Sequence, residues 1–183
     1  MLRYFFIATI FLSGVYMVKA QQSGQRVGVF VDVQNMYYSA RHLFEAKVNF
    51  ASILKTATGN RRLIRAIAYV IKADIKEEKN FFDALEKIGY EVKAKDLQIF
   101  PGGAKKGDWD IGLAMDTIEM APKLDVIVIV SGDGDYVPLV HHLRHAFGCR
   151  VEAIAFGKSS SGHLRETVDS FFDIETDKRK FLI

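Results

Sequence analysis

The chain has 183 residues, 49% of them hydrophobic and 26% charged, the proportions of one ordinary globular domain with a proper core. A formal net charge of +3 excludes a polybasic tail, so any contact with a polyanion must rest on local basic clusters. The single cysteine, Cys149, excludes an intrachain disulfide and a cysteine-based zinc site.

Residues 1–20 stand apart. Met1-Leu-Arg3 is a short basic start, Tyr4 to Val18 is nearly all apolar, and Val18-Lys19-Ala20 puts small residues at a cleavage position. This is the pattern of a secretory signal peptide, too short for a comfortable transmembrane helix. The other readings are an over-called start codon or a helix docked on the domain. The segment is expected to add nothing to the catalytic fold, and no stable membrane insertion of the mature domain is expected.

Strand-like and helix-like segments then alternate. Arg26–Asp32 is the first strand, and Asn35–Phe44 a helix with Asn35 as its N-cap. Phe50–Thr58 is a short helix stopped by Gly59-Asn60, and Leu63–Ile71 a second strand. Glu77–Ile88 is a helix ending at Gly89. Tyr90–Ala94 is a third strand with one apolar face, nearer the sheet edge. Asp110–Met120 is a helix whose Ile111, Ala114, Met115 and Ile118 form an apolar stripe. Pro122 ends it. Val126–Val130 is the fourth strand, Tyr136–Phe147 a helix with Pro138 in its first turn, and Val151–Ala155 the fifth strand. Cys149, between that helix and strand, fits a buried structural thiol. Gly157–Gly162 reads as a flexible connector, His163–Val168 as a short helix and Phe171–Ile174 as a last strand. One domain over residues 26–175 is expected, followed by a tail at residues 176–183.

Such alternation means a three-layer α/β/α fold around a mostly parallel sheet with right-handed crossovers. The most apolar strands, Val27–Val31 and Val126–Val130, belong in the centre, which gives an order of 3-2-1-4-5. The chain then reverses direction between them, at the place where ligands bind beyond the carboxyl ends of the strands. Both strands end in acids: Asp32 closes the first, and Ser131-Gly-Asp133-Gly-Asp135 follows the fourth. Topology brings Asp32 and Asp133 to the same end of adjacent strands, about 5 Å apart at the backbone. Asp108 and Asp110 add carboxylates just before a helix. Four or five carboxylates in one crevice cannot all ionise without a counter-charge. Mg²⁺ or Mn²⁺ is the expected answer, since hard divalent ions take oxygen ligands. An ion of this kind lowers the pKa of water and clamps phosphate oxygens, which is the chemistry of phosphodiester hydrolysis. Asn35 can bond a carboxylate or phosphate without adding charge. Ser131 can touch substrate or orient Asp133 or a water.

Three stretches carry a specific resemblance: Phe30-Val-Asp-Val-Gln-Asn35, Lys106-Gly-Asp-Trp-Asp-Ile-Gly-Leu-Ala-Met-Asp116 and Val130-Ser-Gly-Asp-Gly-Asp-Tyr-Val-Pro-Leu139. With Leu164 and Asp169-Ser-Phe171 they span residues 26–175, and the chain resembles the NYN domain family (LabA-like) of PIN-like metal-dependent ribonucleases. The resemblance implies a PIN-like, Rossmannoid fold, an RNA substrate with no DNA specificity, and a catalytic site of Asp32, Asn35, Asp110, Asp133 and Asp135. The four aspartates among them would be the metal ligands. Many relatives carry Gly-Val where this chain has Asp108-Trp109. Asp110 keeps the spacing to Leu113-Ala114 and is preferred over Asp108 as the ligand. Asp116 reads as a solvated helix position, although the family motif includes it.

Lys105 and Lys106 are expected to contact substrate phosphates; for Arg61-Arg62, phosphate contact and plain solvated surface are equal readings. His141 and His145 are a helical pair that reads as exposed surface in preference to a zinc site. Ser159–Ser161 reads as connector in preference to a phosphate loop. A haloacid-dehalogenase-like phosphatase is disfavoured, because it needs Asp two residues after the first strand's acid and the chain has Asp32-Val-Gln34. The competing class is a non-catalytic RNA- or protein-binding regulatory domain. Homo-oligomers fit either class. The family resemblance favours the cytoplasm; a working signal peptide would place the protein in a secreted or periplasmic setting.

Overall fold

The computed structural model describes residues 24–72, 77–99 and 105–183. The segment over residues 1–20 lies outside them. Six parallel strands form one sheet: β1 (Arg26–Asp32), β2 (Arg62–Lys72), β3 (Glu91–Asp96), β6 (Val126–Val130), β7 (Arg150–Ala155) and β8 (Ser170–Asp173), in the order β3-β2-β1-β6-β7-β8. The two intervening strands, β4 (Gln98–Ile99) and β5 (Lys105–Lys106), pair antiparallel in a separate ribbon. The six principal strands thus run 3-2-1-4-5-6, the expected order with the last segment added at the edge.

Alternating side chains of the central strands enter two cores. Val27, Val29 and Val31 of β1 and Val126, Val128 and Val130 of β6 face one layer with Met36 of α1 (Val33–Phe44), Ile53 of α2 (Phe50–Thr58) and Leu85 of α3 (Glu77–Ile88). Phe30, Ile127 and Ile129 face the other, with Leu113 of α4 (Asp110–Met120), Val140 of α5 (Val137–Phe147) and Leu164 of α6 (Gly162–Thr167). A strand buried on both faces must be apolar at every position, which is why β6 reads Val-Ile-Val-Ile-Val. The C-terminal residues close the first core: Phe181 of α7 (Lys178–Phe181) is fully buried, and Leu182 bridges Val48. Among the described residues no helix is long and apolar enough to cross a membrane.

Four local expectations are corrected. Of the expected α4 stripe, Ala114 and Ile118 are half-buried against the second core, but Ile111 is 77% and Met115 61% exposed, and the fully buried positions are Leu113, Thr117 and Met120. Thr117 fits that face because its hydroxyl donates to the Leu113 carbonyl at 2.6 Å. Asp116 does not stand in solvent: it accepts from the Tyr69 hydroxyl at 2.8 Å and pairs with Lys93 at 2.7 Å. Arg61 is neither surface nor phosphate contact, being buried and paired with Glu152 at 3.0 Å, with further bonds to the carbonyls of Ala57 and Thr58. It lies beside the amino end of β2, away from the strand ends that carry the acids. Helix α1 begins at Val33, and its N-cap is Asp32, which accepts from the Asn35 N–H at 2.9 Å.

Candidate metal centre

The reversal between β1 and β6 opens a cleft at the carboxyl end of the sheet. Val31 is registered beside Val130, so Asp32 and Ser131 leave adjacent strands together. Asp32 caps α1 with one oxygen and receives the Ser131 hydroxyl on the other at 3.4 Å. The same Ser131 oxygen accepts the Asp133 N–H at 3.2 Å. Ser131 is fully buried, so it ties two acids together and cannot touch substrate, contrary to one of its expected roles. Asn35 plays a comparable part. Its carbonyl oxygen accepts the Gly132 N–H at 3.1 Å, stitching α1 to the loop after β6. Asp135 donates its N–H to the Asp133 carboxylate at 3.0 Å.

Asp110 arrives from the other side, in the first turn of α4. Carboxylate oxygens of Asp110, Asp133 and Asp135 lie within 4.8 Å of one another. Asp32, Asn35, Asp108, Asp110 and Asp133 line a cleft of about 290 Å³ together with Gln34, Tyr38, Ser39 and Trp109. The four predicted acids therefore converge, with Asp32 set deeper than the outer trio. Among the described residues this trio is the only set of three or more His, Cys, Asp or Glu so arranged. His141 and His145 stack on each other, exposed on α5, with no third ligand in such a set. Lys105 and Lys106 lie in the β4–β5 ribbon, and their side chains are outside the described residues.

The electrostatics follow from crowding. Burial pushes the Asp32 carboxyl up to about 6; the Asn35 N–H and Ser131 hydroxyl oppose this, and the charges of Asp110 and Asp133 add to it. Asp110 is also raised, first by burial and then by Asp133, Asp108 and Asp135, against a hydrogen bond from Tyr136. That Tyr136 hydroxyl, 3.0 Å from Asp110, is itself pushed far up by burial and by neighbouring acids, so it stays protonated and donates.

Two positioning residues escaped sequence reasoning. Tyr136 is buried beneath the acids, and the signal was its place directly after the second acid of the Gly-Asp-Gly-Asp run. Trp109 donates its indole N–H to the Val70 carbonyl at 2.8 Å, docking the approach to α4 on the end of β2. Gly112 permits this, since a Cβ there would lie 2.5 Å from the indole ring.

The loop after β7 is a buttress, not a loose connector. Ser161 donates its N–H to the Gly132 carbonyl at 2.9 Å and caps α6, and Ser159 bonds Ser39 across the cleft edge at 2.9 Å. Gly132 and Gly134, on either side of Asp133, leave room for this contact, facing Ser160 and Ser161. A Cβ on Gly132 would lie 2.5 Å from the Ser160 hydroxyl and 3.0 Å from its Cα. Gly132→Ala is expected to cost about 1–3 kcal/mol of stability through overpacking, read as a lowered midpoint in urea unfolding; an unchanged midpoint would show that the loop yields freely.

A family model described as NYN domain matches residues 26–175. The chain belongs to the NYN domain family. A relative of this NYN protein, the low amplitude and bright protein LabA of Synechococcus elongatus, is 26% identical, with the match covering 86% of this chain and 87% of the relative. The crystal structure of a protein of unknown function from Vibrio parahaemolyticus has the same fold, with a TM-score of 0.81 at 30% identity over 90% of this chain and 99% of that one.

Proposed function

We propose that this NYN domain is a divalent-metal-dependent ribonuclease. The observation that carries the reading is the convergence of Asp110, Asp133 and Asp135 within 4.8 Å beside the half-buried Asp32, at a topological switch point where α/β folds place their ligands. The donor set suits Mg²⁺ or Mn²⁺: it consists only of hard carboxylate oxygens, with no thiol or imidazole. An ion held there would supply a Lewis acid for a phosphate oxygen and a more acidic water.

The side chains have distinct roles in this account. Asp110, Asp133 and Asp135 present carboxylate oxygens toward a common point, and Asp32 completes the set from below. Ser131 and Asn35 fix the relative position of β1 and β6, and so of Asp32 and Asp133. The Tyr136 hydroxyl turns one Asp110 oxygen and leaves the other free. With RNA as substrate, the phosphodiester would enter the cleft between Asp108–Asp110 and Asn35; the proposed role of Lys105 and Lys106 as phosphate contacts rests on their closeness in sequence to Asp110. In line with the family, we assign no DNA specificity and favour a cytoplasmic site of action over the secreted or periplasmic one that a working signal peptide would give; self-association is compatible with catalysis and with a regulatory role.

End-labelled RNA should be shortened by the purified protein with Mg²⁺ or Mn²⁺ and left intact with EDTA. If the protein binds RNA and never cuts it with any divalent ion, the non-catalytic regulatory reading takes its place.

A further inference from the structure

The exposed face of α1 carries a second groove, about 850 Å³, lined by Tyr37, Tyr38, Arg41, His42, Glu45 and Lys47 with Ala46. Residues 37, 38, 41, 42 and 45 fall on one side of the helix by their spacing, opposite the buried Val33, Met36 and Ala40. The groove adjoins the acidic cleft, with Tyr38 lining both. We propose that this groove is a track for the single-stranded RNA segment flanking the scissile phosphate, with Tyr38 and Tyr37 as base-stacking platforms and Arg41 and Lys47 as phosphate contacts. The proposal rests on the ribonuclease reading and specifies its substrate as single-stranded.

Three observations support it. Tyr38 is 59% and Tyr37 41% exposed, the two rings meeting edge to face at 5.5 Å. Large aromatics are seldom left so bare in pairs, and both the flat face and the hydroxyl suit a nucleobase. Second, the Tyr37 hydroxyl accepts from Arg41 at 2.8 Å, which holds the guanidinium beside the rings. Among the described residues neither Arg41 nor Lys47 pairs with an acid, so both charges remain available to phosphates. Third, from Asn35 at the cleft to Glu45 the helix rises about 15 Å, a path along which a strand leaving the acids meets aromatic and basic groups in turn. A duplex cannot use such a face, because its bases already stack on one another and only unstacked bases meet an aromatic ring.

Binding can be separated from cutting. In EDTA, a fluorescein-labelled oligouridylate should bind the full-length protein more tightly than the same strand annealed to its complement, by fluorescence anisotropy. Tyr37→Ala with Tyr38→Ala should weaken single-strand binding by about tenfold or more, whereas Tyr38→Phe, which keeps the ring, should retain it. Arg41→Gln with Lys47→Gln should flatten the salt dependence by about 0.7 per charge in the slope of log affinity against log salt. These side chains lie on the exposed face, and circular dichroism of each variant checks that the fold is kept. Unchanged affinity in the double alanine variant, or equal affinity for single strand and duplex, would overturn the track. Cleavage with Mn²⁺ by wild type, with the same KM in the alanine variant, would leave the ribonuclease reading standing without it. Wild type that cuts no RNA, yet shows the tyrosine-dependent preference for single strands, would remove the reading and keep the groove as a binding site.

Discussion

Asp133→Asn is expected to reduce RNA cleavage by about three orders of magnitude while leaving stability unchanged or raised. The substitution keeps the shape of the side chain and the acceptor for the Asp135 N–H. It removes one charge from a cluster that already pushes Asp32 and Asp110 upward, so the metal-free protein loses repulsion and no packing. What it takes away, in the proposed site, is one carboxylate that would hold the ion, and losing one preorganised charge-stabilising group costs roughly 10²–10³ in rate. If Asp133 served only to cap the short turn at Gly134–Tyr136, asparagine would replace it almost silently in both respects. Turnover is therefore the discriminating readout, with urea unfolding as the control. Asn35→Ala should weaken cleavage less, because it deletes a neutral tie to the Gly132 N–H and no metal ligand. An Asp133→Asn protein as active as wild type would refute the role of this acid.

Asp32 gives the second large effect, in stability. Its folded carboxyl sits at about 6 against 3.8 as a reference. Between those values the folded chain holds a proton that the unfolded chain has released. The stabilisation is complete below about pH 4 and is lost as pH rises through 6, the loss amounting to about 3 kcal/mol by pH 7 in the metal-free protein. Asp32→Asn should remove this dependence and raise stability at neutral pH in EDTA, the more so because asparagine also caps helices well. The difference between wild type and variant in urea unfolding, measured at pH 4 and pH 7, isolates the effect from other carboxylates. Mg²⁺ or Mn²⁺ should stabilise wild type at pH 7 and the variant less. Equal stability of the two proteins at pH 7 in EDTA would mean that Asp32 ionises at no cost.

The sheet was legible because a strand buried on both faces has little freedom of composition. Val27–Val31 and Val126–Val130 announce the centre, and acids at their ends announce the cleft. Helix α4 is half legible because apolar residues surround it: Ala114 and Ile118 pack on the core as the pattern implies, but Ile111 and Met115 extend the stripe as regularly as the buried Leu113 and Met120. The choice between faces is made by contacts far apart in sequence, the Trp109 indole N–H on the Val70 carbonyl and the Asp116 pair with Lys93 and Tyr69. Pattern alone carries neither. Thr117 looked polar, yet its hydroxyl is satisfied within the helix. Asn35 was given the cap because asparagine is a favoured cap residue, but Asp32, one position before the helix, can accept the same kind of bond from the strand end. The neighbours of the acids were hidden for a related reason. Tyr136 and the Ser159–Ser161 loop act through the fold, and only the folded chain brings them beneath and beside Asp110 and Asp133.

In the proposed site these aspartates hold a divalent ion. Titration of Mn²⁺ into the full-length protein at pH 7, followed by the electron paramagnetic resonance signal of the free ion, tests it most directly. The free signal should be lost saturably at one or two ions per chain, with competition by Mg²⁺ and much weaker binding in Asp110→Asn and Asp133→Asn. A wild-type protein that leaves the Mn²⁺ signal untouched up to millimolar concentrations, or variants that bind it as well as wild type, would contradict it.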